Sequence, residues 1–186
     1  KNHFKIKYNI RLPFILFLGT ISPHKNLIRL VEAFSILKNE SNAFSDYSLV
    51  LSGSRGSATD KILEKCRELG ITESVILTGY TDEEDVPAIY SMADLFVFHS
   101  LSEGFGITPL EAMKCETPVA CSNNSSIPEV CGDAAIYFNC YDTKGIAEAM
   151  YRILKDSILR DSLRQKGLLQ TSKFSWEKAA RETIAI

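Results

Sequence analysis

Three short apolar runs, each closed by glycine, constrain the fold of this chain more than any other feature. They are Phe14-Ile15-Leu16-Phe17-Leu18-Gly19, Tyr47-Ser48-Leu49-Val50-Leu51-Ser52-Gly53 and Val75-Ile76-Leu77-Thr78-Gly79. Short apolar runs of this kind read as strands covered on both faces, the habit of parallel sheets. Helical spacing lies between them. Leu27, Leu30, Val31, Phe34 and Leu37 repeat at that spacing behind Asn26, a candidate N-cap. A helix over residues 60–69 is closed by Gly70, and residues 82–93 are helical in part, with a boundary near Val86 imposed by Pro87. Further strands are predicted at 95–98, 118–121 and 135–138, and further helices at 108–114, 143–155, 159–171 and 175–186. This alternation predicts an α/β fold: a Rossmann-like, doubly wound parallel sheet of about six strands with helices on both faces. Ligands of such sheets bind outside the carboxyl ends of the strands, where the glycines stand.

The 186 residues suffice for one domain with a full core. The net charge of −2 supplies no global field for nucleic acid or an acidic membrane, so no nucleic-acid partner is expected and any anion site is local. Five cysteines, without C-x-x-C or metal spacing, read as reduced, buried thiols of a cytoplasmic protein. The longest apolar run, residues 12–19, is too short to span a bilayer. No signal peptide is evident; Lys1-Asn2-His3 leads into a strand-like segment. Basic, polar residues 1–12 read as a linker remnant at a domain boundary and 13–186 as the domain itself, and the missing initiator Met points to a fragment.

The run Ser102-Glu103-Gly104-Phe105-Gly106-Ile107-Thr108-Pro109-Leu110-Glu111-Ala112-Met113 carries the richest chemistry. A glycine-flanked loop opening a helix can bring several backbone N–H groups to one anion. Glu103 precedes that loop and Glu111 follows it, so each can accept from hydroxyls on its own side. Phosphate in the middle with hydroxyls at both ends describes a nucleotide sugar. Glu111 has a plainer reading. Thr108 as N-cap, Pro109 at N1 and Glu111 at N3 fit a capping box. The plainer reading of Glu103 is an exposed loop acid.

A second candidate is Gly19-Thr20-Ile21-Ser22-Pro23-His24-Lys25-Asn26, which follows the first strand and opens a helix. Lys25 stands where the helix dipole favours an anion and could hold a diphosphate as it leaves, or be a solvated surface lysine. His24 is a loop histidine of either kind. Arg55, in Gly53-Ser54-Arg55-Gly56, is a third basic contact, and Tyr80 after Gly79 could face a base. Ser126-Ile127-Pro128-Glu129 repeats the capping-box pattern, which makes Glu129 structural.

Together these segments resemble the C-terminal, donor-binding half of family 4 (group 1) glycosyltransferases, the large retaining group of GT-B fold. The match takes in residues 19–26, Gly79-Tyr80, residues 102–113, Thr117-Pro118-Val119, residues 125–135 and Phe174-Ser175-Trp176. Glu103 and Glu111 match the E-x7-E motif, with Gly-Phe-Gly between and Glu-Ala-Met spanning its end.

The resemblance implies a role for each matching position. Lys25 and Glu103 would be catalytic. The donor would be bound by Gly19, Thr20, His24, Lys25, Arg55, Tyr80, Glu103, Gly104, Phe105, Gly106, Ile107, Thr108 and Glu111. Among these, Glu103 meets sugar hydroxyls, amides from Gly104 to Thr108 line sugar and diphosphate, and Glu111 takes the ribose. The implied reaction is hexosyl transfer with retention from a GDP- or UDP-sugar to a glycan or lipid-linked acceptor, as in polysaccharide biosynthesis. Pro23-His24-Lys25-Asn26 and residues 124–130 look most like members that use GDP-mannose. No metal or other cofactor is expected, because the chain has no D-x-D pair in a suitable loop and no His/Cys cluster. The N-terminal acceptor domain would be missing, so the fragment alone would be inactive. Any membrane association would be peripheral, at the inner face, and belong to the full-length enzyme.

The chain departs from the family pattern at Thr20 and His24, where many members carry Arg. Arg55 or a protonated His24 would then be the second diphosphate cation. The alternative function is a non-catalytic or regulatory nucleotide-sugar binding module. A dinucleotide-binding Rossmann domain is disfavoured, since no G-x-G-x-x-G follows the first strand. Glu116 stands where glycine is common and is expected at positive φ.

Overall fold

Alternate residues of the first strand point into two separate cores. The computed structural model describes residues 2–184. In β1 (Phe14–Leu18), Ile15 and Phe17 join one apolar cluster while Phe14 and Leu16 join the other. The same division holds in β2 (Ser48–Ser52) and β4 (Leu95–Phe98), where Leu49, Leu51, Leu95 and Val97 face the first core and Val50, Phe96 and Phe98 the second. Period-2 alternation with apolar residues on both sides requires a covering layer on each face. With β3 (Val75–Gly79), β5 (Val119–Ser122) and β6 (Ala135–Phe138), the strands form one parallel sheet in the order β3-β2-β1-β4-β5-β6.

The first core is covered by α2 (Leu27–Glu40), α3 (Thr59–Glu68), α7 (Thr143–Lys155) and Leu163 of α8 (Ser157–Thr171). Residues from α1 (Asn2–Tyr8), α4 (Val86–Met92), α5 (Ile107–Lys114) and α6 (Ile127–Cys131) cover the second. The final helix, α9 (Trp176–Ile184), has no buried residue. The doubly wound parallel sheet with six strands is therefore as predicted, and Pro87 falls in the first turn of α4, with the boundary at Val86. The predicted final helix ran on to residue 186; its last two positions, like Lys1, lie outside the described residues.

Three local expectations are corrected. The strand-like reading of the start is replaced by α1, whose Tyr8 is buried while Ile6 is exposed. This helix is tied down: Tyr8 Oη donates to Asp85 Oδ2 at 2.7 Å, and Lys7 Nζ reaches Asp82 and Asp85 at 2.7 and 2.6 Å. Residues 1–12 thus include a packed helix and not only an extended connection. Thr108 is not the cap of α5. The helix begins one residue earlier, behind Gly106 at φ 108, because Gly106 turns the chain in a conformation other residues rarely adopt. A Cβ at Gly106 would also sit 2.7 Å from Ile127 Cδ1. The second capping box fails too: Ser126 makes no cap hydrogen bond to α6.

Other expectations hold. Gly70 ends α3 at φ 69, Glu116 has φ 59, and the five cysteines are free, four of them buried while Cys115 is partly exposed. Asn26 does sit at the start of α2, but at φ 54 and with its side chain elsewhere: Nδ2 donates to Cys140 O at 2.8 Å. No helix among the described residues is long and apolar enough to cross a membrane.

Candidate functional site

The strand order reverses between β1 and β4, which leaves a crevice where the chain departs from their carboxyl ends in different directions. The turn after β1 and the turn after β4 form its walls. Leu101 N donates to His24 O at 2.8 Å and sews the two together.

Lys25 lies on one turn of 3-10 helix, Pro23–Lys25. Its Nζ is 2.5 Å from Glu103 Oε1 and 5.1 Å from the centroid of the Phe98 ring. Both charged side chains are largely sheltered, at 14% and 18% exposure. Water screens such a pair less than a surface one, and the aromatic face adds attraction for the ammonium. Two of the predicted site residues, 78 positions apart in sequence, thus meet directly.

Two serines after β5 hold the loop that carries Glu103. Ser125 Oγ accepts from Glu103 N at 3.2 Å and donates to Glu103 O at 3.1 Å. Ser126 Oγ lies 3.2 Å from Glu103 O and 2.8 Å from Phe105 O. Asn124 Nδ2 adds a bond to Leu101 O at 2.6 Å. Residues 124–126 therefore act as a clamp on the loop. The sequence reading gave Ser126 to its own helix, and no local pattern could have told otherwise. Gly104 and Phe105 are exposed in this loop, and the Phe105 ring meets Phe174 edge-on at 5.9 Å. Ile107 and Thr108 open α5, where their N–H groups have no carbonyl one turn behind them within the helix. Such a start can receive an anion.

Glu111 projects from α5 to solvent, and its Oε2 accepts from Tyr90 Oη at 3.2 Å. The carboxylate is therefore not engaged in a capping box.

On the other side of the crevice the strand ends are linked in series. Gly19 N donates to Ser52 O and Gly53 N to Gly79 O, each at 2.8 Å, and Ile21 N to Ser54 O at 3.1 Å. Glycine is required here. A Cβ at Gly53, where φ is 141, would lie 2.1 Å from Gly19 O, and one at Gly56 would lie 2.1 Å from Ile21 O. The turn holding Arg55 is thus built for close packing against the turn holding Gly19 and Thr20. Thr20, His24 and Arg55 are exposed, and His24 Nδ1 lies 3.1 Å from Ser22 Oγ. Tyr80 is 63% exposed at the end of β3. Two strand spacings, about 10 Å, separate that strand from β1, so Tyr80 stands at the far end of the row rather than beside Lys25.

His99 escaped the sequence reading. It follows β4, is fully buried, and stacks on Phe138 at 5.4 Å with neither ring nitrogen hydrogen-bonded. Burial pushes its pKa down to about 4, against an opposing influence from the backbone of Lys25 and Asn26. Its adjacency to Phe98 was the available signal. Among the described residues, no group of three or more His, Cys, Asp or Glu could hold a metal ion.

The arrangement offers a cation paired with a carboxylate at the crevice and, on the helix that follows that loop, open amides and a second, exposed carboxylate. The family profile described as "Glycosyl transferases group 1" matches residues 1–170. An Escherichia coli protein named O-antigen chain mannosyltransferase B is 40% identical over 172 residues, which are 92% of this chain and 44% of that protein. The Anabaena protein HepE, solved with UDP and glucose, superposes with a TM-score of 0.85 at 17% identity, over 99% of this chain and 52% of that one. The C-terminal domain of a group 1 glycosyltransferase from Francisella tularensis matches with a TM-score of 0.78 at 22% identity, over 91% of both chains. The chain spans under half the length of the curated mannosyltransferase it matches. It belongs to the group 1 glycosyltransferases and corresponds to their C-terminal, Rossmann-like domain of GT-B fold.

Proposed function

We propose that this chain is the donor-binding half of a retaining hexosyltransferase, acting on a nucleoside-diphosphate sugar, with GDP-mannose the first candidate. The observation that carries this is the Lys25–Glu103 pair across the crevice, 2.5 Å apart and sheltered. It puts a cation for diphosphate beside an acceptor for sugar hydroxyls. The choice of mannose is supported by the mannosyltransferase relative at 40% identity.

In this reading Glu103 accepts from the donor sugar and Glu111 from the ribose. The bond between the anomeric carbon and the diphosphate breaks, negative charge grows on the departing phosphate oxygen, and that carbon bonds to the acceptor hydroxyl oxygen, whose proton passes to the departing phosphate. Lys25 and the N–H groups of Ile107 and Thr108 stabilise that charge from fixed positions. Thr20 supplies no charge where many members have Arg, so Arg55 is the second cation, and Arg55→Ala should weaken diphosphate binding. The residues supply the anion stabilisation themselves, and no metal is required. The acceptor, a glycan or lipid-linked saccharide, meets residues outside this chain. By itself the chain binds donor weakly and transfers little or nothing.

The test is calorimetric titration with GDP, UDP and ADP, with and without magnesium. Metal-independent binding of one nucleotide, lost in Lys25→Ala and Glu111→Ala, supports the reading. Binding that survives both substitutions overturns it.

A further inference from the structure

Glu111 is an exposed carboxylate on a helix, and such a side chain samples several rotamers unless something holds it. Here something does. Tyr90 reaches it from inside the fold. Its side chain is fully buried on α4, its ring meets Phe96 edge-on at 5.3 Å, and its backbone carbonyl accepts from Thr117 Oγ1 at 2.7 Å. The ring is thus fixed on several sides. Only the hydroxyl emerges at the base of α5, 3.2 Å from Glu111 Oε2 and 3.4 Å from Thr108 O. A phenol has a single proton to donate, and the charged, nearer carboxylate is the stronger acceptor. Burial, and then the charge of Glu111, hold the phenol pKa far above its ordinary value, so the hydroxyl remains a donor at any working pH.

We propose that Tyr90 is the positioning residue for Glu111 and thereby sets the preference of the site for ribose over deoxyribose. This rests on the reading of Glu111 as the ribose-binding carboxylate. With Oε2 committed to the phenol, the carboxylate keeps one plane and one direction, and its remaining acceptor capacity is presented to the vicinal hydroxyls already oriented. A carboxylate free to turn would bind the same hydroxyls after paying its own ordering. Tyr90 touches no ligand in this scheme and acts through Glu111 alone. Thr108 O, at 3.4 Å, is the more distant, neutral acceptor for the same proton.

The experiment compares GDP with 2′,3′-dideoxy-GDP, and UDP with its dideoxy analogue, on this chain and on Tyr90→Phe, Glu111→Gln and the double variant. Phe keeps the ring against Phe96 and removes only the hydroxyl. The wild-type chain should prefer the ribonucleotide, Glu111→Gln should lose that preference, and Tyr90→Phe should lose most of it, roughly 3- to 10-fold in affinity. Affinity for the dideoxy analogue and the melting temperature should barely move. In the Glu111→Gln background, Tyr90→Phe should have no further effect on the ratio. A Tyr90→Phe chain that keeps the full ratio, while Glu111→Gln loses it, overturns the inference and leaves the ribose reading standing. A Glu111→Gln chain that keeps the ratio, or a wild-type chain that binds neither ribonucleotide, overturns the ribose reading and the inference together. Equal weakening of both nucleotides with a lowered melting temperature marks a purely structural tyrosine and also overturns the inference.

Discussion

Lys25 Nζ and Glu103 Oε1 lie 2.5 Å apart and bridge the two turns that flank the reversal in strand order. The cation that a diphosphate would need is already occupied by a carboxylate. A bound diphosphate must share or displace that partner, and the carboxylate also repels it. Glu103→Gln should therefore tighten binding of free nucleoside diphosphate several-fold, on the order of 1 kcal/mol. The same change removes an acceptor from the sugar side. The added affinity of the nucleotide sugar over the bare diphosphate should then shrink. Calorimetry with GDP and GDP-mannose reads both effects; weaker diphosphate binding in the variant would count against the pairing as a competitor.

The clamp on this loop gives a second prediction. Ser126 Oγ has one proton to donate, and of the two carbonyls in reach Phe105 O at 2.8 Å is nearer than Glu103 O at 3.2 Å, which also accepts from Ser125 Oγ. Ser126→Ala takes that donor from the Phe105 carbonyl while Glu103 O keeps Ser125 Oγ, at a cost of about 1 kcal/mol in stability. Because the Phe105 carbonyl belongs to the loop carrying Glu103, donor affinity should fall more than global stability does. Denaturant titration and nucleotide titration of the same variant separate the two, and a loss of stability with unchanged affinity would confine Ser126 to the fold.

Much of this was legible in the sequence, for physical reasons. Buried strands such as Phe14–Leu18 and Leu95–Phe98 need apolar residues on both faces, and sequence records that directly. Gly19, Gly53 and Gly79 mark strand ends because positive φ is required at each. Glu103 and Glu111 stood out because their spacing brackets a glycine-rich turn. What escaped was the use of short polar side chains. Ser126 and Thr108 each fit a local cap, but Ser126 bonds across to another turn and Thr108 lies inside the helix. Tyr90 drew no reading of its own, since nothing near it in sequence reveals that its hydroxyl meets Glu111, 21 positions on.

The paired turns at the carboxyl edge predict unequal costs for glycine replacement. Gly53→Ala combines φ 141 with a Cβ 2.1 Å from Gly19 O, a backbone atom with nowhere to move. Gly70→Ala meets nothing within 4 Å and bears only the strain of φ 69. The second should cost about 1 kcal/mol. The first should cost more than about 4 kcal/mol or prevent folding. Chemical denaturation of both variants checks the contrast; similar midpoints would mean that the turns of Gly19 and Gly53 do not pack as closely as described.

His99 predicts how stability depends on pH. Its folded pKa lies near 4, below the ordinary 6.5, because the neutral ring is buried against Phe138. As pH falls, the unfolded chain takes up the proton first. The contribution of the neutral ring is therefore complete above pH 6.5 and drains away towards pH 4. Its size is on the order of 3 kcal/mol. His99→Phe keeps a ring for Phe138 and has no such titration. Urea unfolding of both proteins between pH 7.5 and 4, values chosen to bracket about one unit beyond the ordinary pKa, should show the difference in stability moving in favour of the variant as the pH drops. Comparing the two proteins cancels groups of opposite sign, such as Asp94, whose carboxyl is raised by burial. Nucleotide affinity at neutral pH should change little if the ring only fills space beneath Lys25 and Asn26. A difference in stability independent of pH would show that His99 is not held as a buried neutral ring.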